Sequence, residues 1–145
     1  MELPAGLRLS IADPIASDDV DAVERGLIDY NAGFIEQDPI ASFGVLVRGD
    51  DGKVEAGLIA ECYAGWMFIK YLWVDGRWRR GGIGRALMLQ AERRAAALGC
   101  RYAWVDTFSF QAPEFYKKLG YREFGRLDYP PSHNRIFLQK ILTAE

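Results

Sequence analysis

Arg79-Arg80-Gly81-Gly82-Ile83-Gly84 is a glycine-rich stretch between a strand-like apolar run and a long amphipathic helical pattern. Four arginines (Arg77, Arg79, Arg80 and Arg85) surround its three glycines, although the formal net charge of the protein is −2. Glycine allows a tight turn and a close approach of the backbone to a ligand. The helix that follows would direct its free N–H groups and its positive dipole end at the same place. The stretch therefore predicts a site for an anion with several phosphate oxygens.

The composition of the 145 residues is typical of one globular domain, residues 1–145. Half of the residues are hydrophobic and 26% are charged, which argues against a disordered chain. The sequence pI near 5.5 argues against general nucleic-acid binding, because such domains are usually basic. We see neither a membrane-spanning run nor a signal peptide. Cys62 and Cys100 make no disulfide framework, so we expect buried thiols in a cytoplasmic protein, with a homodimer left open.

The apolar periodicity predicts the order β-α-β-β-β-α-β-α-β-β, which is one mixed α/β sheet with helices packed on it. The predicted strands are Leu7–Ile11, Ser42–Val47, Val54–Tyr63, Trp66–Val74, Tyr102–Thr107, Tyr121–Leu127 and Arg135–Ile141. Three helices are predicted: one begins at Asp18, one follows the glycine-rich stretch, and one begins at Pro113. Residues 31–39 are predicted to form a loop or a short helix. The predicted inward faces of the last two helices are Ile83, Leu87, Ala91, Ala95 and Leu98, and Phe115 with Leu119.

Two phosphate-binding patterns and one purely structural alternative can be compared with the glycine-rich stretch. A P-loop for nucleoside triphosphates requires Lys and then Ser or Thr after its last glycine, and here Arg85 and Ala86 follow Gly84. A dinucleotide-binding loop is only partly matched. Asp106 lies where a ribose-binding acid belongs, but Leu87 replaces the third glycine, and too few βαβ units remain for a doubly wound sheet. A surface turn rimmed by solvated arginines is the third, purely structural alternative.

A fourth interpretation accounts for more of the chain. Arg79-x-x-Gly82-x-Gly84 resembles the pyrophosphate-binding motif of the GNAT superfamily of N-acetyltransferases. Trp66–Val74 resembles the fourth strand of that family, and Gln111–Tyr121 (QAPEFYKKLGY) resembles its fourth helix. The resemblance implies a mixed sheet of about seven strands with about four helices. It also implies that the fourth and fifth strands splay apart and hold acetyl-coenzyme A between them.

The resemblance further implies roles for individual residues. Tyr116 corresponds to the tyrosine that protonates the departing thiolate, although it could instead be only an aromatic anchor of the core. Gln111 stands where many relatives have a cofactor-contacting asparagine. Backbone N–H groups near Trp73 or Val74 could polarise the thioester carbonyl. The implied cofactor-binding residues are Leu72, Trp73, Val74, Arg79, Arg80, Gly81, Gly82, Ile83, Gly84, Arg85 and Gln111.

The resemblance does not imply which residue accepts the proton of the amine. The family's glutamate is missing from the fourth strand, which contains Lys70 instead, so the candidates are Glu61, Asp106, Asp128 or water. The acceptor is expected to be a primary amine of a small molecule, although a peptide amine, or an inactive domain that only senses acyl-coenzyme A, stays open.

Two loops are expected to choose the acceptor: Tyr30–Pro39, with Glu36 and Asp38, and Asp128–Asn134. His133, the one histidine of the chain, is expected to be a surface residue of the second loop. No cluster of histidines and cysteines predicts a metal site.

Overall fold

The computed structural model describes residues 2–35 and 40–142, in two compact units, Met1–Gln37 and Asp38–Glu145. The first unit contains helix α1 (Ser17–Asn31), with Asp18 and Asp19 in its first turn. Residues 7–11 form no strand, and Leu9 and Ile11 are 87% and 94% exposed. The predicted first strand is wrong, because alternating apolar residues do not by themselves supply the hydrogen-bonded neighbour that a strand needs. The single domain stays a prediction.

The second unit is built on one mixed sheet of six strands, in the spatial order β1-β2-β3-β4-β6-β5. The strands are β1 (Ala41–Arg48), β2 (Val54–Tyr63), β3 (Trp66–Val74), β4 (Tyr102–Phe108), β5 (Arg122–Tyr129) and β6 (His133–Ile141). Helix α2 (Ile83–Ala97) connects β3 to β4, and helix α3 (Pro113–Lys118) connects β4 to β5. The described residues thus contain six strands and three α-helices, one fewer of each than predicted, and the mixed α/β architecture is confirmed.

The hydrophobic core lies on one face of the sheet, against α2 and α3. The buried residues of α2 are Leu87, Met88, Ala91 and Ala95, so the predicted face is largely confirmed and gains Met88. Leu98 lies beyond the last helical residue and is an exposed hydrophobic residue. In α3 the buried residue is Tyr116, whereas Phe115 and Leu119 are only partly buried. Phe115 and Leu119 both pack against the core as predicted, and the inward side of the short helix also includes Tyr116.

Strand β3 pairs with β4 over only part of its length. The parallel pairing runs from Trp66 with Tyr102 to Ile69 with Val105 and then ends. On the other side β3 stays paired with β2 to its last residue, with an irregularity that leaves Lys70 as an extra residue. Such a bulge bends a strand and increases its twist. The predicted splay between these two strands is confirmed, and it begins where the bulge lies.

The segment Asp128–Asn134 is not a loop but the tip of a hairpin. Asp128 pairs with Asn134, and Tyr129 pairs with His133, so only residues 130–132 remain in the turn. The rings of Tyr129 and Phe108 contact each other edge to face, with centroids 5.1 Å apart. Prolines and polar residues predict a loop here, but cross-strand pairing extends both strands further.

Candidate active site

A cleft of about 750 Å³ lies beside the half of β3 that has no partner in β4. It is lined by the end of β3, by the glycine-rich stretch and by the segment that leads into α3. Its lining residues are Leu72, Trp73, Val74, Trp78, Arg79, Arg80, Gly82, Ile83, Gly84, Arg85, Phe110, Gln111, Ala112 and Phe115. The structure thus brings together every residue that the sequence implied for cofactor binding except Gly81. The motifs did not predict four further lining residues, Trp78, Phe110, Ala112 and Phe115.

The backbone of the glycine-rich stretch has an unusual conformation. Arg80 and Gly82 have φ angles of 66° and 87°, and both are therefore in the left-handed region. A residue other than glycine rarely adopts this conformation, which costs about 1–2 kcal/mol. Gly82 is the N-cap of α2, and no side chain caps that helix end. The first N–H groups of α2 have no partner within the helix and are suited to an anion.

Arg79 connects the glycine-rich stretch to the open part of β3. Its Nε donates a hydrogen bond to the carbonyl oxygen of Val74 over 3.0 Å. This bond fixes the guanidinium, and its terminal N–H groups remain available to bind phosphate oxygens. Arg80 and Arg85 line the same cleft, so that three positive charges lie around the uncapped end of α2.

A network of ion pairs holds the turn between β3 and the arginines. The guanidinium of Arg77 contacts Glu55 on β2 at 2.6 Å and Asp75 at 3.0 Å. Hydrogen bonds from the backbone N–H and the side chain of Arg77 hold the pKa of Asp75 below its usual value. Asp75 also caps the 3₁₀ turn Gly76–Trp78, whose last residue lines the cleft. Arg77 is therefore a structural residue of the turn, whereas the other three arginines face the cleft.

Gly84 has a packing role that the motif did not predict. A Cβ atom at this position would lie 3.2 Å from the ring of Phe115. The first turn of α2 thus lies directly against α3, which is possible because Gly84 has no side chain. A signal for this contact exists in the sequence only as two separate features, a glycine in a helical first turn and an aromatic residue far along the chain.

Tyr116 lies behind Phe115 and not among the residues that line the cleft. It is 7% exposed, and its ring meets those of Phe115 and Tyr121 edge to face, with centroids 5.1 Å and 6.0 Å away. Burial, together with the charge of Asp106, raises the pKa of Tyr116 to about 12. The tyrosine therefore stays protonated at physiological pH.

The side-chain oxygen of Gln111 accepts hydrogen bonds at the end of β4. Its Oε1 accepts hydrogen bonds from the backbone N–H of Phe108 at 2.8 Å and from the hydroxyl of Thr107 at 3.3 Å. Since the amide oxygen is occupied in this way, the amide NH₂ is the group with donors left for a ligand in the cleft.

A family model described as the acetyltransferase (GNAT) family matches residues 13–121. The chain belongs to this family. It is therefore an acetyltransferase, and acetyl-coenzyme A is its cosubstrate. The sequence interpretation of the glycine-rich stretch as part of a GNAT fold is confirmed, and the P-loop and dinucleotide interpretations are wrong.

Proteins of known name and structure resemble the chain over most of its length. A blasticidin-S acetyltransferase from Streptomyces morookaense is 36% identical over 110 residues, which cover 74% of this chain and 81% of that protein. The crystal structure of an acetyltransferase from Bacillus cereus ATCC 14579 matches with a TM-score of 0.82 and 35% identity, covering 88% of this chain and 94% of that one. A Bacillus anthracis acetyltransferase structure in complex with acetyl-coenzyme A shares the fold, with a TM-score of 0.62, 17% identity and coverage of 75% and 66%.

The residues of the cleft fit acetyl-coenzyme A in charge and in shape. The left-handed backbone at Arg80 and Gly82 and the uncapped end of α2 suit a pyrophosphate. Beyond Ile69, the backbone groups of β3 that face β4 have no partner in that strand. An extended amide-containing chain can satisfy such groups in the way an added strand does. Leu72 and Phe115 supply apolar walls for its methylene groups.

The three acids proposed from the sequence have different surroundings. Glu61 forms an ion pair with Lys70 at 3.2 Å, and Asp106 forms one with Arg135 at 2.9 Å. Asp128 is exposed on β5. Asp106 is the first residue of β4 beyond the end of the β3–β4 pairing, and its charge is among the causes of the raised pKa of Tyr116. Asp106 therefore lies on β4 at the point where the strands separate, whereas Glu61 reaches this region from β2 and is paired there with Lys70.

The residues expected to choose the acceptor are only partly visible. Glu36 and Asp38 lie outside the described residues. His133 is exposed, and its ring lies edge to face with that of Phe110, with centroids 5.0 Å apart. The hairpin tip is thus connected to the rim of the cleft, since Phe110 is a lining residue.

Neither a metal-binding cluster nor a membrane-spanning helix occurs in the described residues. Residues 2–35 and 40–142 contain no group of three or more His, Cys, Asp or Glu side chains that could hold a metal ion. Within the same residues, no helix has the length and the hydropathy needed to cross a membrane.

Proposed function

We propose that this protein transfers the acetyl group of acetyl-coenzyme A to a primary amine of a small molecule, by direct attack in a ternary complex. The observation that carries the proposal is the cleft, which joins a phosphate-binding helix end to the open edge of β3. The 36% identity with a blasticidin-S acetyltransferase supports a small molecule as the acceptor.

The donor is proposed to bind along the whole cleft. Arg79, Arg80 and Arg85, together with the backbone from Gly81 to Gly84, bind the pyrophosphate. Leu72, Trp73 and Val74 contact the arm through the open edge of β3, and the amide NH₂ of Gln111 donates a hydrogen bond to it. The N–H groups of this edge also polarise the acetyl carbonyl, since they lie in the one part of β3 that β4 does not satisfy.

Acetyl-coenzyme A supplies an activated acetyl thioester, and Tyr116 holds a proton for the departing sulfur. A thiol has a pKa of about 8.5, so full proton transfer from a phenol whose pKa is about 12 is uphill by roughly 5 kcal/mol. Tyr116 is therefore expected to act by donating a hydrogen bond that strengthens as negative charge develops on sulfur. This contribution is available over a wide pH range because the hydroxyl stays protonated.

Asp106 is proposed to accept the proton of the amine, through water. An aliphatic amine with a pKa of about 10.4 must lose a proton before it attacks, which costs roughly 4.6 kcal/mol at pH 7. Asp106 is the candidate acid next to the end of the β3–β4 pairing, and its ion pair with Arg135 holds it in place.

The proposed role of Asp106 can be tested against a matched acid on the same sheet. Asp106→Asn should lower kcat by about 10²-fold, with a smaller loss at pH 9 than at pH 7 because more amine is already neutral. Glu61→Gln also breaks an ion pair with a basic residue and should leave kcat near the wild-type value. Equal losses in the two variants would exclude a specific role for Asp106.

The experiment that tests the function is thiol release from acetyl-coenzyme A in the presence of a panel of amines. The panel contains small-molecule amines, blasticidin S among them, and peptides with a free α-amino group or a lysine. We expect turnover with a small-molecule amine and none with the peptides. Turnover only with peptides would make the acceptor a protein. A rise in Tm with acetyl-coenzyme A but no turnover with any amine would favour a sensor of acyl-coenzyme A.

A further inference from the structure

A largely buried cluster of three polar residues lies behind the proposed active site. Glu92 on α2 accepts hydrogen bonds from the hydroxyl of Tyr121 at 2.9 Å and from Nζ of Lys140 on β6 at 2.8 Å. The side chain of Glu92 is only 12% exposed, so both of its oxygens are partnered within the protein. A buried ion pair is weak evidence for stability, because desolvation offsets much of the attraction.

The cluster is connected to Tyr116 through Tyr121. The backbone N–H of Tyr121 donates a hydrogen bond to the carbonyl oxygen of Tyr116 at 3.1 Å, and the two rings meet at an angle of 73°. Nζ of Lys140 lies 5.5 Å from the centroid of the Tyr121 ring. Since α3 has only six residues, its own hydrogen bonds do little to fix its side chains. Tyr121 thus contacts Tyr116 through both its backbone and its ring.

We propose that Glu92, acting through the hydroxyl of Tyr121, holds the ring of Tyr116 in the orientation that acetyl transfer requires. Glu92 and Tyr121 are positioning residues in this scheme. Glu92 lies on α2, the helix whose first turn binds the donor pyrophosphate in the proposed function. The cluster therefore fixes the distance between the donor site and the proton that Tyr116 carries. This inference rests on the proposed role of Tyr116.

The decisive variant is Tyr121→Phe, which keeps the ring and deletes one hydroxyl. We expect kcat to fall about tenfold, because a small misplacement of a catalytic group is costly, while the KM for acetyl-coenzyme A changes little. In a Tyr116→Phe background the same substitution should have no further effect on kcat, since the group that it positions is already gone. Tyr102→Phe, a loss of one hydroxyl from a partly exposed ring stacked on Trp66, is the matched control and should leave kcat unchanged.

A second variant keeps the test informative if Tyr121→Phe folds poorly. Glu92→Gln retains an oxygen that can accept the Tyr121 hydroxyl, so it should keep most of the wild-type kcat, whereas Glu92→Leu should lose as much as Tyr121→Phe. Wild-type kcat in Tyr121→Phe, or an equal loss in the wild-type and Tyr116→Phe backgrounds, would overturn the positioning role. Wild-type kcat in Tyr116→Phe alone would instead remove the catalytic role of Tyr116, and the inference with it.

Discussion

The two halves of β3 differ in what lies beside them. From Trp66 to Ile69 the strand has β2 on one side and β4 on the other, and the rings of Trp66 and Phe68 stack on those of Tyr102 and Trp104. Beyond the bulge at Lys70, residues 71–74 keep β2 but have no partner in β4. The first half is thus an ordinary interior strand. The second half is paired on one side only, so its other side is an open edge.

This difference shows how one strand can serve both stability and binding. An unpaired backbone group removed from water costs about as much as a lost hydrogen bond, so an open edge in a sheet needs another partner. Part of it is satisfied within the protein, because Arg79 donates to the carbonyl of Val74. The remainder faces the cleft. We therefore expect substitutions at the closed half to change stability and substitutions at the open side to change binding or catalysis.

Tyr116→Phe should have the largest effect, and on catalysis alone. The variant deletes only a hydroxyl and keeps a ring packed between two aromatic neighbours. Because the variant loses the hydrogen bond that this hydroxyl is proposed to donate to the departing sulfur, we expect kcat to fall by about 10²-fold, the lower end of the range for acid–base catalysis. Steady-state turnover should show this loss, while the Kd for acetyl-coenzyme A and the Tm stay near wild type. A loss confined to Kd would make Tyr116 a binding residue.

The pH dependence of kcat in the wild type and in Tyr116→Phe gives a second check. Because the pKa of Tyr116 is raised to about 12, its acid form persists as the pH increases from 7 to 10. The ratio of wild-type kcat to Tyr116→Phe kcat should therefore be constant over this range. A ratio that falls toward one near pH 9 would mean that the hydroxyl ionises there, and that bound donor lowers its pKa.

Met67→Ala tests the closed half of β3. Met67 is fully buried, and its truncation should lower the free energy of unfolding by about 2–5 kcal/mol through lost contacts and a cavity. Tyr71→Ala is the matched substitution in the open half of β3. Tyr71 is 63% exposed, so this change should cost within about 0.5 kcal/mol. Urea unfolding measures both, and similar costs would show that the two halves are equally important to the fold.

Gly82→Ala and Gly52→Ala form a matched pair with a smaller expected effect. Both glycines have a φ angle near 80–90°, and an added Cβ meets no atom within 4 Å at either position. Each variant should lose about 1–2 kcal/mol of stability because alanine disfavours this conformation. Only Gly82→Ala should also weaken acetyl-coenzyme A binding, by roughly tenfold, because its Cβ interferes with close approach of phosphate. If calorimetry gave the wild type and Gly82→Ala equal affinities for acetyl-coenzyme A, Gly82 would be a purely structural residue.

The elements predicted most accurately are those with strong local signals. The bounds of β2 and β3 agree with the prediction because turn residues flank both strands, such as the hairpin Gly49–Gly52 and Gly65 with a φ angle of 83°. Residues 7–11 have the same alternating pattern, and no strand forms there. Alternation describes one strand, whereas a sheet also requires a partner strand, which a local pattern does not contain.

The sequence by itself determined the family, the order of the elements from α1 onward and most of the positions that line the cleft, because glycines, arginines and apolar periodicity act through the local backbone. Only the tertiary structure decided which chemistry each residue meets. Gly84 faces Phe115, the side-chain oxygen of Gln111 accepts a hydrogen bond from β4, and burial raises the pKa of Tyr116. Packing distances and burial depend on residues far apart in the chain, so no local pattern encodes them.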